Sequence, residues 1–395
     1  MSDWSLLPVG LQDLLPEETL LDEHIRQQLM AYFIRHGYAP VRPPLMEYEE
    51  NLLAGSAKTL SQQSFRVMDP QTHRMMAIRP DTTVQVARIA ATRLADAPRP
   101  LRLCYAGDVL RAMKSTTRPE RQFPHFGCEL LGSEETRADT EIILLAIGAL
   151  RYLGVKSLTL DLCLPQLGLI LAESYGLAAK DYQFYQEALN NKDRHSLSRL
   201  QGSLASIAVQ LVDASGPLEE VLPLFQALPL PEKAEKDRIH VLETLKLIRE
   251  IDPDMPITLE LADWRGLEYK TGLGFTLFSA DAAGELGRGG RYSVQDHDSG
   301  KYATHQANAP SSVQTEESSV GFSLYGDSLR QVVALPSSQP LVFVPHPVDW
   351  RLLESIQTKG YRTLAGLYWV SDVDGEARRM KCSHVVRNGQ IYPLG

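Results

Sequence analysis

The 395-residue chain carries 40 Lys+Arg against 49 Asp+Glu, a net charge of −9, with 44% hydrophobic and 23% charged residues. That balance predicts about two or three globular domains and weighs against a nucleic-acid backbone as main partner, which wants a basic surface. No apolar run reaches a membrane span, the first residues lack a signal-peptide pattern, and Cys104, Cys128, Cys163 and Cys382 form no CxxC pair; the expectation is a cytoplasmic protein with reduced thiols, no zinc and no cofactor.

Gly10, Asp13 and Pro16 break residues 5–16 into turns. Glu17 to Arg35 then repeats apolar residues at helical period, with acids early and Gly37 after its end. Tyr38 to Glu47 reads as a strand confined to an edge or a chain entry by Pro40, Pro43 and Pro44. Phe65–Asp69 and Met76–Arg79 read as a hairpin, after which Asp81 can cap a helix starting near Thr82. Two apolar runs, Leu101–Leu110 and Phe123–Leu131, flank a polar arm, Arg111 to Arg121, that carries Arg111, Lys114, Arg118 and Arg121. Strand, basic arm, strand is a geometry suited to an anionic group, because arginine forks match phosphate and carboxylate; it is equally the pattern of a solvated surface hairpin.

Ala138 to Leu153 predicts a helix with one apolar face, Asp139 and Glu141 being acids that the dipole favours in its first turn. Ser157 to Leu162 is a strand, and Pro165 to about Asp252 is almost entirely helical in pattern, punctuated by Pro217, Pro223, Pro229 and Pro231. Leu259 to Phe278 alternates toward its end and suggests a hairpin with Arg265 and Gly266 at the turn. Gly284 to Tyr292 is a glycine-dense strand or turn that permits close backbone approach, and the polar Asp296–Ser319 reads as a mobile loop. Beyond Pro340, the strand Leu341–Val344, the helix Trp350–Lys359 and strands near Thr363, His384 and Gln390 predict a small α/β appendage.

The residue order in CYAGDVLRAMKSTTRPERQFPHFGCELLG, Cys104 to Gly132, resembles the second signature of class II aminoacyl-tRNA synthetases in its histidyl form. The resemblance implies an ATP-phosphate role for Arg111 and an amino-acid pocket role for Glu129. Two positions depart: the family's glutamate after the arginine is Met113, and its pocket glutamine is His125. Further segments follow in the same order. The first signature, whose proline lies at a homodimer interface, matches at Pro44. The segment holding the substrate's α-amino group matches at Asp81, one methylene shorter than the family's glutamate, and Thr83. Arg265, Gly266 and Tyr269 match the histidine-specific signature, with Lys270 where a second tyrosine is expected, and Tyr292 matches a pocket tyrosine. In the third signature the γ-phosphate arginine is Ser328 and the preceding glutamate is Asp327.

The implied fold is α+β: a class II synthetase-like antiparallel sheet flanked by helices over residues 1–330, a helical insertion at about 165–252, and a small C-terminal domain over 331–395, too short for the family's anticodon-binding domain. Three functions compete on this fold. A histidine–tRNA ligase needs the ATP clamp, the glutamine pocket and the anticodon domain, all of which are altered. An enzyme activating an amino acid for another acceptor is permitted by Arg111 and Arg265 but opposed by Met113 and Ser328. The favoured reading is similarity to the histidyl-tRNA-synthetase-like regulatory subunit of ATP phosphoribosyltransferase. This family is non-catalytic, dimerises, pairs with a short-form catalytic subunit and confers histidine feedback in the first step of histidine biosynthesis. The expected effector site is Asp81 and Thr83 at the ammonium, Arg111 and Arg265 at the carboxylate or a phosphate, and His125, Glu129, Tyr269 and Tyr292 around the imidazole, with no metal.

Overall fold

The computed structural model describes residues 6–53, 61–114, 118–263, 270–295, 316–337 and 339–395. Pro16 opens helix α1 (Pro16–Arg35), where its missing N–H costs nothing, and the Glu18 carboxylate accepts the Leu15 N–H at 2.9 Å. Gly37, at φ +85°, ends it in the left-handed turn that glycine adopts without strain. Ile25, Leu29 and Phe33 point inward from α1 and are fully buried, worth about 1.5–3 kcal/mol each.

The chain continues through the short strands β1 (Ala39–Pro40) and β2 (Met46–Tyr48), helix α2 (Glu49–Leu52), the hairpin β3 (Arg66–Met68) and β4 (Met75–Ile78), and helix α3 (Thr83–Thr92). Strands β5 (Leu101–Leu110) and β6 (Gln122–Leu131) pair antiparallel along their whole length, from Leu101↔Leu131 to Leu110↔Gln122. Helix α4 (Thr136–Tyr152) and strand β7 (Leu158–Cys163) follow. A helical segment comes next, comprising α5 (Leu167–Ser174), α6 (Ala179–Asn190), α7 (Arg194–Ser198), α8 (Ser203–Asp213), the two-residue strand β8 (Gly216–Pro217), α9 (Leu218–Ala227) and α10 (Glu232–Ile251). Strands β9 (Ile257–Glu260), β10 (Gly274–Ser279), β11 (Gly287–Gln295) and β12 (Glu316–Tyr325) lead into α11 (Gly326–Val332).

Nine strands form one sheet in the order β1-β5-β6-β12-β11-β10-β7-β9-β8. The run from β5 to β7 is antiparallel, as the sequence led us to expect; parallel pairing enters only at β1–β5 and β7–β9. Side chains alternate across each strand. On β6, Phe126, Cys128 and Leu130 face a core built with α1 and α4, whereas Leu131 packs on the other side with α3, Tyr105 and Tyr292. His125 and Glu129, odd-numbered like Leu131, therefore lie on the α3 face.

Several expectations change. Tyr38–Glu47 is not one strand: β1 pairs with β5, while β2 pairs with β4 in a separate three-stranded sheet. Leu259–Phe278 is not a hairpin, because β7 lies between β9 and β10; β10 instead forms a hairpin with β11, Gly274 opposite Gly290. The segment read as a loop over Asp296–Ser319 already contains the start of β12 at Glu316, and positions 296–315 lie outside the described residues. Asp139 and Glu141 are more than first-turn acids. Buried Asp139 takes the Arg291 guanidinium and, at 2.8 Å, His240 Nε2. Glu141 receives both forks of Arg102 at 2.7 Å and the Tyr38 hydroxyl at 2.8 Å.

The chain divides into two compact units, Met1–Ala334 and Leu335–Gly395. The second carries β13 (Leu341–Val344), α12 (Trp350–Thr358), β14 (Arg362–Ala365), α13 (Val373–Arg379), β15 (His384–Arg387) and β16 (Gln390–Pro393), with sheet order β14-β13-β15-β16. Asp349 and Asp372 cap its two helices through side-chain oxygens. No helix among the described residues is long and apolar enough to cross a membrane.

Candidate functional site

The site lies on the α3 face, where β5, β6, β12 and β11 lie side by side. Asp81 sits just before α3. Its Oδ1 accepts the Thr83 N–H at 2.8 Å, the helix-start role the sequence allowed. Burial pushes its carboxyl up, but the His125 ring, the Thr83 N–H and the Arg111 guanidinium outweigh this and hold it below the usual range. The Thr83 hydroxyl lies 3.3 Å from the Tyr105 hydroxyl, which in turn lies 2.9 Å from Ser323 Oγ.

Glu129 is wholly enclosed. The Tyr292 hydroxyl donates to its Oε2 at 2.8 Å and the Tyr105 hydroxyl reaches Oε1 at 3.5 Å. Burial raises its carboxyl to about 7, with Lys270 as the main opposing charge. Lys270 is itself buried; its Nζ donates to the Gly290 carbonyl at 3.1 Å and stands 4.9 Å from the Tyr292 ring centroid. Burial lowers this ammonium to about 8 against the pull of Glu129.

His125 is also fully buried, stacked at 5.7 Å on Tyr325 and tilted at 5.6 Å against Tyr105. Nδ1 lies 3.2 Å from the Thr82 hydroxyl, and Nε2 has no hydrogen-bond partner among the described residues. Desolvation depresses the ring to about 4, so it is neutral at physiological pH. Arg111 Nε reaches the Pro80 carbonyl at 3.4 Å, and its guanidinium lies 5.1 Å from the Phe123 ring.

Asp81, Thr83, Arg111, His125, Glu129 and Tyr292 are thus brought to one face, while Arg265 and Tyr269 lie outside the described residues. Sequence reasoning missed Tyr105 and Ser323 as members. Strand alternation placed Tyr105 on one face of β5, but only the tertiary pairing with β6 and β12 says which. Among the described residues no group of His, Cys, Asp and Glu has the makings of a metal site.

Beside this cluster, Arg118 turns inward from the arm. It is 6% exposed, its guanidinium stacks 3.8 Å from the Tyr325 centroid, and its Nε lies 2.7 Å from Asp327 Oδ2. That ion pair is poorly angled for a hydrogen bond, and Asp327 Oδ1 finds no partner among the described residues. Arg118 also donates to Ser328 Oγ at 3.4 Å and lies 3.6 Å from Glu285. Met113, by contrast, is exposed on the arm.

A family profile described as histidyl-tRNA synthetase matches residues 10–329. Two curated relatives, each named ATP phosphoribosyltransferase regulatory subunit, come from Rhodospirillum centenum and Gluconobacter oxydans. The first is 38% identical over 99% of this chain and 96% of its own. The second is 37% identical over 99% of this chain and 97% of its own. Among solved structures, one described as an ATP phosphoribosyltransferase regulatory subunit/histidyl-tRNA synthetase from Bacillus halodurans superposes with a TM-score of 0.78 at 22% identity, covering 96% of this chain and 97% of that one. A histidyl-tRNA synthetase from Nostoc gives 0.75 at 17% identity, covering 97% and 91%. These structural likenesses establish the class II synthetase fold, and the sequence identities do the rest: the chain belongs to the family of ATP phosphoribosyltransferase regulatory subunits.

Proposed function

We propose that the chain is a non-catalytic effector-binding subunit that assembles as a dimer with a short-form ATP phosphoribosyltransferase catalytic chain, activates it, and transmits histidine feedback. Residues 331–395 stand in place of an anticodon-binding domain. Asp81 and Thr83 receive the effector's ammonium and Arg111, with Arg265, its carboxylate. Glu129, Tyr292 and Tyr269 flank its side chain, and His125 closes the wall beside Thr82.

The observation that carries this reading is Arg118. Where a synthetase needs a cation free to meet phosphate, the third-signature position is Ser328, and the arginine beside it is already neutralised by Asp327 and Glu285. On this reading the amino-acid side keeps its polar groups while the nucleotide side is taken up by the chain's own charges. A receptor needs only the first of these, since a ligand shifts an assembly by its differential affinity for two states.

The test combines two assays. Pyrophosphate exchange with ATP and histidine should stay at background. Added to a short-form catalytic chain, the protein should raise turnover and make it histidine-sensitive. Exchange at a synthetase's rate, or no effect on the catalytic chain, would overturn the proposal.

A further inference from the structure

Glu129, Gly321 and Gly290 form a row across three neighbouring strands, Glu129 opposite Gly321 and Gly321 opposite Gly290. Strands lie about 4.8 Å apart, so the row is roughly 10 Å long. Its two glycines put no side chain over the row, and the chain closes in on both. From one end the Glu129 carboxylate comes so close that a Cβ on Gly321 would overlap Oε2. At the other end, the Lys270 ammonium is moored on the Gly290 carbonyl. The Tyr292 ring bridges the two, its hydroxyl on the carboxylate and its face under the ammonium. A buried carboxylate at the end of an amino-acid pocket would by itself favour a cationic ligand side chain, because an unpaired buried charge is costly. Here the chain supplies that cation itself.

We infer that Lys270 is a specificity-determining residue that makes the pocket select a neutral side chain, admitting unprotonated imidazole and rejecting imidazolium, guanidinium and ammonium. The inference rests on the effector reading above. Other charged and titratable groups around Lys270 are Asp81 before α3, Arg288 and Tyr292 on β11 and Cys163 on β7. Of the surrounding charges, Glu129 exerts the largest pull on the ammonium. Burial raises Glu129 and lowers Lys270, and in each case the other group's charge is the largest pull against that shift.

The experiment is calorimetric titration of the full chain with histidine and with triazolylalanine, an isostere whose ring stays neutral, at pH 7.5 and 5.5. Titrations of the protein act on both ligands, so their affinity ratio isolates the ligand's imidazole. That ring protonates near 6.5, and neutral-only binding weakens histidine about tenfold relative to triazolylalanine at pH 5.5. In Lys270→Met, imidazolium can take the place of the lost ammonium, and this fall should shrink at least threefold. A ratio independent of pH in the unmodified chain, or an equal fall in the variant, overturns the inference. Should Lys270→Met fail to fold, the ratio in the unmodified chain decides alone. If neither ligand binds the unmodified chain at pH 7.5, the effector reading itself falls, and the inference with it.

Discussion

Gly321→Ala tests the packing of Glu129 over Gly321 directly. The new methyl would overlap the Glu129 carboxylate and stand 2.7 Å from the Cys128 carbonyl. Backbone on β6 cannot yield, so the carboxylate must leave, and with it goes the 2.8 Å bond from Tyr292. A charge-assisted hydrogen bond is worth about 1.5–3 kcal/mol, and overpacking a close site costs about 1–3 kcal/mol. Their sum, about 2.5–6 kcal/mol, lowers the melting temperature by roughly 4–9 °C for a domain of this size. Thermal unfolding at pH 7.5, followed by circular dichroism, reads the shift. The same substitution in a Glu129→Ala background should cost less than half as much, because the obstructing carboxylate is gone. A shift below about 2 °C, or equal costs in the two backgrounds, would refute the packing argument.

Three other outcomes are expected. The buried ring of His125 stays unprotonated down to about 4 while the unfolded chain binds that proton near 6.5, so stability falls as pH drops through this interval. At pH 5 the loss is about 2 kcal/mol. Glu129, raised to about 7, acts with the opposite sign over the same interval but is common to both chains, so His125→Gln should lose about 2 kcal/mol less than the unmodified protein between pH 7 and 5 in urea titrations. A difference near zero would show that the ring is not desolvated. Arg118→Ala leaves Asp327 buried and unpaired and should cost about 3–5 kcal/mol, part of it recovered by adding Asp327→Ala; additive costs in chemical denaturation would mean the two do not interact. Ser328→Arg places a second guanidinium against a buried position already served by Arg118, so pyrophosphate exchange should stay at background; measurable exchange would show that residue 328 alone is what the nucleotide site lacks.

What the sequence disclosed follows the range of its signals. Alternation and apolar runs located β5 and β6 almost to the residue, because the pleat writes itself locally. Asp81 was identifiable as a helix-start acid because that bond spans two residues. Partner choice was not local. Nothing between Leu259 and Phe278 says that β7, from a hundred residues earlier, inserts between β9 and β10. Arg118 looked like one of four cations on an arm; its burial depends on Tyr325, Asp327 and Glu285, none nearby in sequence. The partners of Asp139 and Glu141 were hidden for the same reason, their cations arriving from β11 and β5. Lys270 was visible only as an irregularity in a familiar order of residues, and its meaning came from the two glycines across the sheet.

Arg79 holds three segments at once. Its guanidinium donates to the carbonyls of Asp108 at 2.7 Å and Pro43 at 3.1 Å and to the Gln85 side chain at 3.3 Å, while Gln85 Nε2 donates to the Pro44 carbonyl at 2.8 Å. Two side chains therefore fasten the proline segment to the start of α3, and Gly107 is bare so that the guanidinium can lie against it. Close-packed interiors do not absorb small displacements. The proline segment and the first turn of α3, next to Asp81 and Thr83, are therefore held by one hydrogen-bonded tether.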